Sequence, residues 1–278
     1  MQTKIIHLVL GLFILGSLHA QSVTGNGQVT KQNRTVEPFH AIATSHGWDL
    51  ILTQGRENVM VVETDVNLHE HLITEVENGV LKIRMTKGLS IKKSKMKRIY
   101  LTFVEVDAIS ASGGSDIIAE QSITTDKFSL ALSGGSDLKF AGLKVDKLSG
   151  AFSGGSDASI DFVNHSTNKM SIQASGGSDI RLEGVRVNSL SMATSGGSDV
   201  RIEGTAEEAS IVASGGSDFD GADCIMEDCS LTMGGSSDAK IHVTGTLSAI
   251  LGGGSDVSCT GNPRVVSKQV CKSCDLAL

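Results

Sequence analysis

Eight aspartates, at positions 116, 137, 157, 179, 199, 218, 238 and 256, each close a Ser-Gly-Gly-Ser-Asp phrase or a near variant of it. Six copies are intact. Two are altered, to Gly-Gly-Ser-Ser-Asp at 234–238 and Gly-Gly-Gly-Ser-Asp at 252–256. A carboxylate repeated in this way has two chemistries open to it. It can accept hydrogen bonds from backbone N–H groups left free at a turn, or it can join turn carbonyls as a hard oxygen ligand for Ca²⁺. The aspartates step by 21, 20, 22, 20, 19, 20 and 18 residues, whereas calcium-binding β-rolls repeat every nine or so. Turn capping is therefore the preferred reading, with structural calcium as the alternative. Stacked at a strand spacing of ~4.8 Å, the carboxylates repel by about 1–3 kcal/mol per neighbouring pair at intermediate dielectric. Two residues after Asp, on the same face, stand Lys139, Arg181, Arg201 and Lys240. These are the expected compensators, although Ile118, Ser159, Asp220 and Ser258 interrupt their column.

Other reactive residue types point to weaker chemistry. His69-Glu70-His71 would set two imidazoles on one strand face and could bind a metal weakly, but it lacks the spacing of a zinc-protease helix; a solvated polar patch is preferred. The serines of the repeat have no His beside them, so a Ser-His-Asp triad has no support. Lys87, Lys92, Lys93, Lys95, Lys97 and Arg98 crowd one stretch, expected to be a solvated loop, with docking to an anionic glycan or lipid as the lesser reading. Five cysteines stand at 224, 229, 259, 271 and 274. Cys229 and Cys259 fall in apolar columns and read as buried thiols. Cys271-Lys-Ser-Cys274 reads as a disulfide, a redox pair or half of a metal site, and a zinc site that adds Cys224 and Cys229 stays open. No residue is assigned as catalytic, cofactor-binding or metal-ligating.

The elements that hold the aspartates follow from the columns around them. One residue after Asp come Ile117, Leu138, Ala158, Ile180, Val200, Phe219, Ala239 and Val257, all apolar; the columns at three after, five before and seven before are also largely apolar. They alternate with polar columns, which is strand periodicity with one face buried. Each unit reads as strand, Gly-Gly turn, strand, turn. A 20-residue unit cannot bury its apolar face alone, so stacked units must share one core. The fold class is all-β: a right-handed parallel β-helix, or β-solenoid, with the hand set by the crossover rule. Residues 34–107 lack the phrase but are strand-rich and read as irregular first coils that cap the open end.

Composition bounds the rest. There are 32 Gly, 2 Pro and 4% aromatic residues in 278, with Trp48 and Tyr100 the sole Trp and Tyr. So few aromatic sugar platforms weigh against a polysaccharide-cleaving groove, which would also need two carboxylates set apart from the rest. Lys4, the apolar run Ile5–Leu15 and Ala20 read as a secretory signal, residues 1–20, cut before Gln21. Its loss leaves 23 basic and 31 acidic residues, a formal charge of −8, which disfavours a nucleic-acid partner. No later segment is apolar enough to span a membrane as a helix. The expected division is 21–33 linker, 34–107 cap and first coils, 108–262 regular coils and 263–278 tail.

Two stretches, Arg34-x-Val36-x-x-Phe39-His40-x-Ile42 and Gly47-x-Asp49-Leu50-x-Leu52-Thr53-Gln54-Gly55, carry a family resemblance. With Glu75-Val76-x-Asn78-Gly79-x-Leu81-x-Ile83, the repeated phrase and Gly261-Asn262-Pro263-x-Val265, the chain resembles the autotransporter adhesin head family called GIN or DUF2807 over residues 30–270. The resemblance implies a secreted β-helix of Bacteroidetes-type cell envelopes and supplies no catalytic residues. The expected function is a non-enzymatic, exported module of the cell envelope (periplasm, outer-membrane surface or extracellular space) that binds a surface glycan or protein or acts as a structural spacer. The alternatives are a carbohydrate-active β-helix enzyme and an envelope-stress regulator.

Overall fold

The structure, a computed structural model, describes residues 21–278; the proposed signal at 1–20 lies outside the described residues. Among these, strands account for nearly every regular element, and one 3-10 turn, Val66–Leu68, is the exception. The expected β-solenoid is what forms. Successive coils pair in parallel and in register: Leu138 stacks on Ile117 and Ala158 on Leu138. Farther along, Asp179, Asp199, Asp218 and Asp238 stack in turn.

Alternation explains the coil. Leu138 and Phe140 point in, then Leu143 and Val145, then Leu148 and Phe152, with Lys and Ser outward between them. The inward parity shifts between Phe140 and Leu143 and again after Val145, so each coil is three short straight runs joined by bends. The small section suits aliphatic residues, with Phe128, Phe140, Phe152 and Phe219 as the large fillers of the regular coils.

The N-terminal half forms nine strands: β1 (Gln21–Thr24), β2 (Val29–Arg34), β3 (Ala41–Thr44), β4 (Asp49–Gln54), β5 (Val59–Asp65), β6 (Leu72–Glu77), β7 (Val80–Met85), β8 (Leu89–Lys93) and β9 (Lys97–Phe103). β3 and β4 are the first coil, parallel to Ala108–Ala111 and Ile117–Ala119 of the next. Its outer edge is covered: β7 adds to β3 and carries β6 antiparallel, while β9 adds to β4 and carries β5 and then β2 antiparallel. This is the expected cap. Asn78 and Gly79, both at positive φ (52° and 77°), make the tight β6–β7 turn.

Two sequence expectations change here. Residues 21–33, read as a linker, form β1 and most of β2, because β8 and β5 respectively offer edges with which their backbone pairs. The basic stretch 87–98, read as a solvated loop, contains β8 and the start of β9; β8 pairs with β1, and Lys97 donates to the His46 carbonyl at 3.2 Å.

Candidate binding groove along the aspartate ladder

The phrase builds a corner. The glycine at its second position adopts positive φ at every copy, for example +77° at Gly196 and +74° at Gly235. A Cβ on Gly235 would lie 2.5 Å from the carbonyl oxygen of Gly215 in the coil before, so both conformation and contact require glycine. The last serine of the phrase points inward and is fully buried in all eight copies. Its hydroxyl donates across the corner to the carbonyl four residues before Asp: Ser156 to Ser153 at 3.0 Å, Ser217 to Ser214 at 2.9 Å and Ser255 to Gly252 at 3.0 Å. This buried clamp was not read from the sequence, although its position beside Asp gives it inward parity.

Next comes the aspartate, outward as expected. Its carboxylate caps the neighbouring coil rather than its own turn. The amide of Asp157 donates to Asp137 Oδ1 at 3.3 Å, that of Asp179 to Asp157 at 3.1 Å, that of Asp256 to Asp238 at 3.3 Å and that of Asp275 to Asp256 at 3.2 Å. The last pair shows that the ladder outruns the phrase. Asp275 continues it at one end, and Asp49, stacked on Asp116, continues it at the other. Ser45-His46-Gly47-Trp48-Asp49 is thus a further corner, with His46 and Gly47 at positive φ (68° and 70°) and buried Trp48 in the clamp position. Cys271-Lys-Ser-Cys274-Asp275 is another, and there a Cys271–Cys274 disulfide stands where serine clamps the other corners. The open question over this pair is thereby resolved as a disulfide, while Cys224, Cys229 and Cys259 are free and buried.

The ladder is poorly compensated. The two arginines of the column expected to neutralise it pair with other acids. Arg181 pairs with Glu183 and with Glu203 (3.8 Å); Arg201 pairs with Glu203 (3.2 Å), Asp220 (3.3 Å) and Asp223 (2.7 Å). Glu183 and Glu203 stand two residues beyond the bases on the same strands, and Asp220 stands level with Arg201 on the next coil. Among the described residues, none of the eight repeat aspartates forms a salt bridge. Accordingly, the Asp179 carboxyl is raised above the usual range, first by burial and then by Asp157 and Asp199 on either side. Asp116 is raised likewise, by burial and by Asp49 and Asp137.

Between the aspartates and the residues two beyond them runs an open groove. It encloses about 590 Å³ from Asp116 to Asp220 and continues for about 500 Å³ from Asp218 to Ala277. The apolar residues that follow each Asp form its floor. The arrangement offers a straight row of acceptors at one strand spacing, with Lys139, Arg181, Arg201 and Lys240 opposite. Among the described residues no three His, Cys, Asp or Glu side chains converge as a metal-ligand set.

His69-Glu70-His71 is not on a strand. It forms the turn after the 3-10 turn, tied down by Arg34, which donates to the carbonyls of His69 (2.6 Å) and Leu72 (2.7 Å). His69 Nε2 faces Thr30 Oγ1 at 3.1 Å and His71 Nε2 lies 3.8 Å from Glu70, so the imidazoles are engaged separately.

The family model described as "putative auto-transporter adhesin, head GIN domain" (DUF2807) matches residues 38–164 and 157–263. The chain belongs to this family. Solved structures share its fold. A protein from Parabacteroides merdae described as a putative adhesin is 19% identical, with a TM-score of 0.74, covering 92% of this chain and all of its own. One from Parabacteroides distasonis, also described as a putative adhesin, is 19% identical at a TM-score of 0.71, covering 93% and 100%. Another from that species, described as a putative lipid binding protein, is 19% identical at 0.69, covering 92% and 100%. A search of curated proteins finds no match. An adhesin-like role is what the DUF2807 assignment supports, and no helix among the described residues is long and apolar enough to cross a membrane.

Proposed function

We propose that this DUF2807 chain is an exported, non-enzymatic surface-binding module of the cell envelope that holds a glycan or protein ligand along the aspartate groove. The observation that carries this reading is the uncompensated ladder. Its carboxylates are offset neither by ion pairs nor by distance, yet they line an open groove on a rigid scaffold. Unmatched charge on a preformed surface is a cost to folding that binding can recover. Family membership agrees with it. An enzyme of the lyase or hydrolase kind needs one acid–base pair set apart from the rest, whereas the aspartates here recur at every rung along the groove.

The test is binding of residues 21–278 to an array of glycans and extracellular-matrix proteins. The wild type is compared with a triple variant, Asp157→Asn, Asp179→Asn and Asp199→Asn, with and without chelator. Reproducible hits are expected, weakened in the variant, indifferent to chelator and released unmodified. A blank array overturns the adhesin reading, chelator-sensitive hits transfer the ladder to a calcium role, and cleaved hits overturn the non-enzymatic reading.

A further inference from the structure

A second face carries charge of the opposite sign. Lys127, Lys147 and Lys169, each ten residues before a ladder aspartate, stack in direct register on successive coils. Two positions on, Ser129, Ser149 and Ser171 stack in the same way. The two columns flank a groove of about 550 Å³ whose floor is the backbone of buried Phe128 and Leu148. The lysines are exposed and, among the described residues, none is within salt-bridge distance of an acid. Asp126 and Asp146 precede two of them without pairing, and Asp107, at the end of the groove, is held by His40 at 3.1 Å.

This stack has no evident folding benefit. Three ammonium groups at successive strand spacings of ~4.8 Å repel one another, and the chain could avoid the repulsion: the same column continues as Ser189, Glu208 and Asp228. The cationic stretch is therefore finite, closed by Asp107 at one end and by acids at the other. It is also straight and parallel to the solenoid axis.

We propose that this track is a binding site for a linear acidic polysaccharide, its carboxylate or sulfate groups against Lys127, Lys147 and Lys169 and its hydroxyls against the serines. A shallow channel between two side-chain columns suits a chain lying along it, and the rung spacing is comparable with the advance per sugar of an extended glycan. The serine column supplies donors and acceptors that hydroxyl-rich ligands use, which favours a glycan over a membrane surface. The inference rests on the adhesin reading and adds to it a ligand class and a face distinct from the aspartate groove.

The test uses residues 21–278 and measures affinity for polygalacturonate and chondroitin sulfate, with dextran, anionic phospholipid vesicles and single-stranded DNA as comparison probes. Two variants accompany the wild type: Lys127→Gln/Lys147→Gln/Lys169→Gln, and a control that removes equal charge at exposed lysines elsewhere, Lys92→Gln/Lys93→Gln/Lys268→Gln. The lysines are exposed, and unchanged melting curves will show both variants folded. Expected are salt-sensitive binding of at least one acidic polysaccharide, no binding of dextran, and a loss of about tenfold or more in the track variant alone. Equal loss in the control, or preference for vesicles or DNA, overturns the track as a glycan site. Array hits of other chemistry that the track variant keeps overturn it too, while leaving the adhesin reading standing. Absence of binding to any probe or array ligand sinks both.

Discussion

Asp179 sits between Asp157 and Asp199 with no cation in reach, and that position has a measurable sign. Its folded-state carboxyl is raised, so ionisation opposes folding above that value and the penalty is relieved as pH falls through it. Asp179→Asn keeps an oxygen acceptor and removes the charge. For an exposed residue the effect is within about 0.5 kcal/mol, so the melting temperature should rise by about 1–2 °C at pH 7. The gain should vanish below the carboxylate range, where the wild type is itself neutral. A lower melting temperature at pH 7 would mean that the charged hydrogen bond to the next coil outweighs the repulsion. Asp65 has the opposite sign. Burial alone would raise its carboxyl, but amide donors outweigh it and the net shift is downward: Lys95 donates at 2.8 Å and Gly27 at 2.6 Å, joined by Met96 and its own amide. Its stabilisation is present above the ordinary carboxylate value and is lost as pH falls through the lowered one. Asp65→Asn leaves amides without a charged acceptor and should cost about 1–3 kcal/mol at pH 7, with the two proteins converging in acid denaturation curves.

At the scale of the element, the corner decides what the coil tolerates. Gly235 needs positive φ and lies against the backbone of the coil before. Gly235→Ala should therefore cost about 1–3 kcal/mol, read as a lower denaturation midpoint, whereas Ser236, in the same corner without positive φ, should accept Ala with little change. The disulfide corner makes a chemical prediction. Burial raises the Cys259 thiol and pushes those of Cys224 and Cys229 up to about 12, so all three stay protonated and inert. Alkylation of the native protein at pH 8 should label no cysteine, and after mild reduction it should label Cys271 and Cys274 alone. Label at Cys229 or Cys259 would show that the last coils open. The repeated corners were legible because Asp, Gly and the apolar residue after Asp each answer to one steric or burial demand. The two outer corners were not, since end positions relax those demands: Trp48 fills a clamp site facing the cap, and cysteines replace both serines in the last. The direction of Arg181 and Arg201 was hidden for another reason. Parity says which face a side chain takes, not which of two carboxylates on that face it reaches. The lysine track escaped notice because its column turns acidic half-way along.

For the whole molecule, stability is nearly one-dimensional, since each coil touches little beyond its two neighbours. What matters then is how the stack ends. At the N-terminal end the first coil is roofed by β7 with β6 and by β9 with β5 and β2, and Trp48 is fully buried beneath them. At the other end Arg264–Val270 and Asp275–Ala277 each have a strand on one side only. Their residues are mostly exposed, and Leu276 is the single buried side chain among them. A strand with one neighbour and few buried apolar groups opens at low free energy. Hydrogen exchange should accordingly be slowest in the middle coils and under the N-terminal cap, and should quicken over the last coil. The disulfide closes only a four-residue corner, for which the chain-entropy model gives about 2 kcal/mol. Reduction should then speed exchange across 264–277 without reaching the coil that contains Asp218. If reduction speeds exchange throughout, the coils unfold as one cooperative body and the nearest-neighbour picture is wrong. If it changes nothing, the backbone hydrogen bond from Cys274 N–H to the Cys271 carbonyl and the strand pairing hold the corner unaided, and the cysteines serve there as half-buried packing groups rather than as a pin.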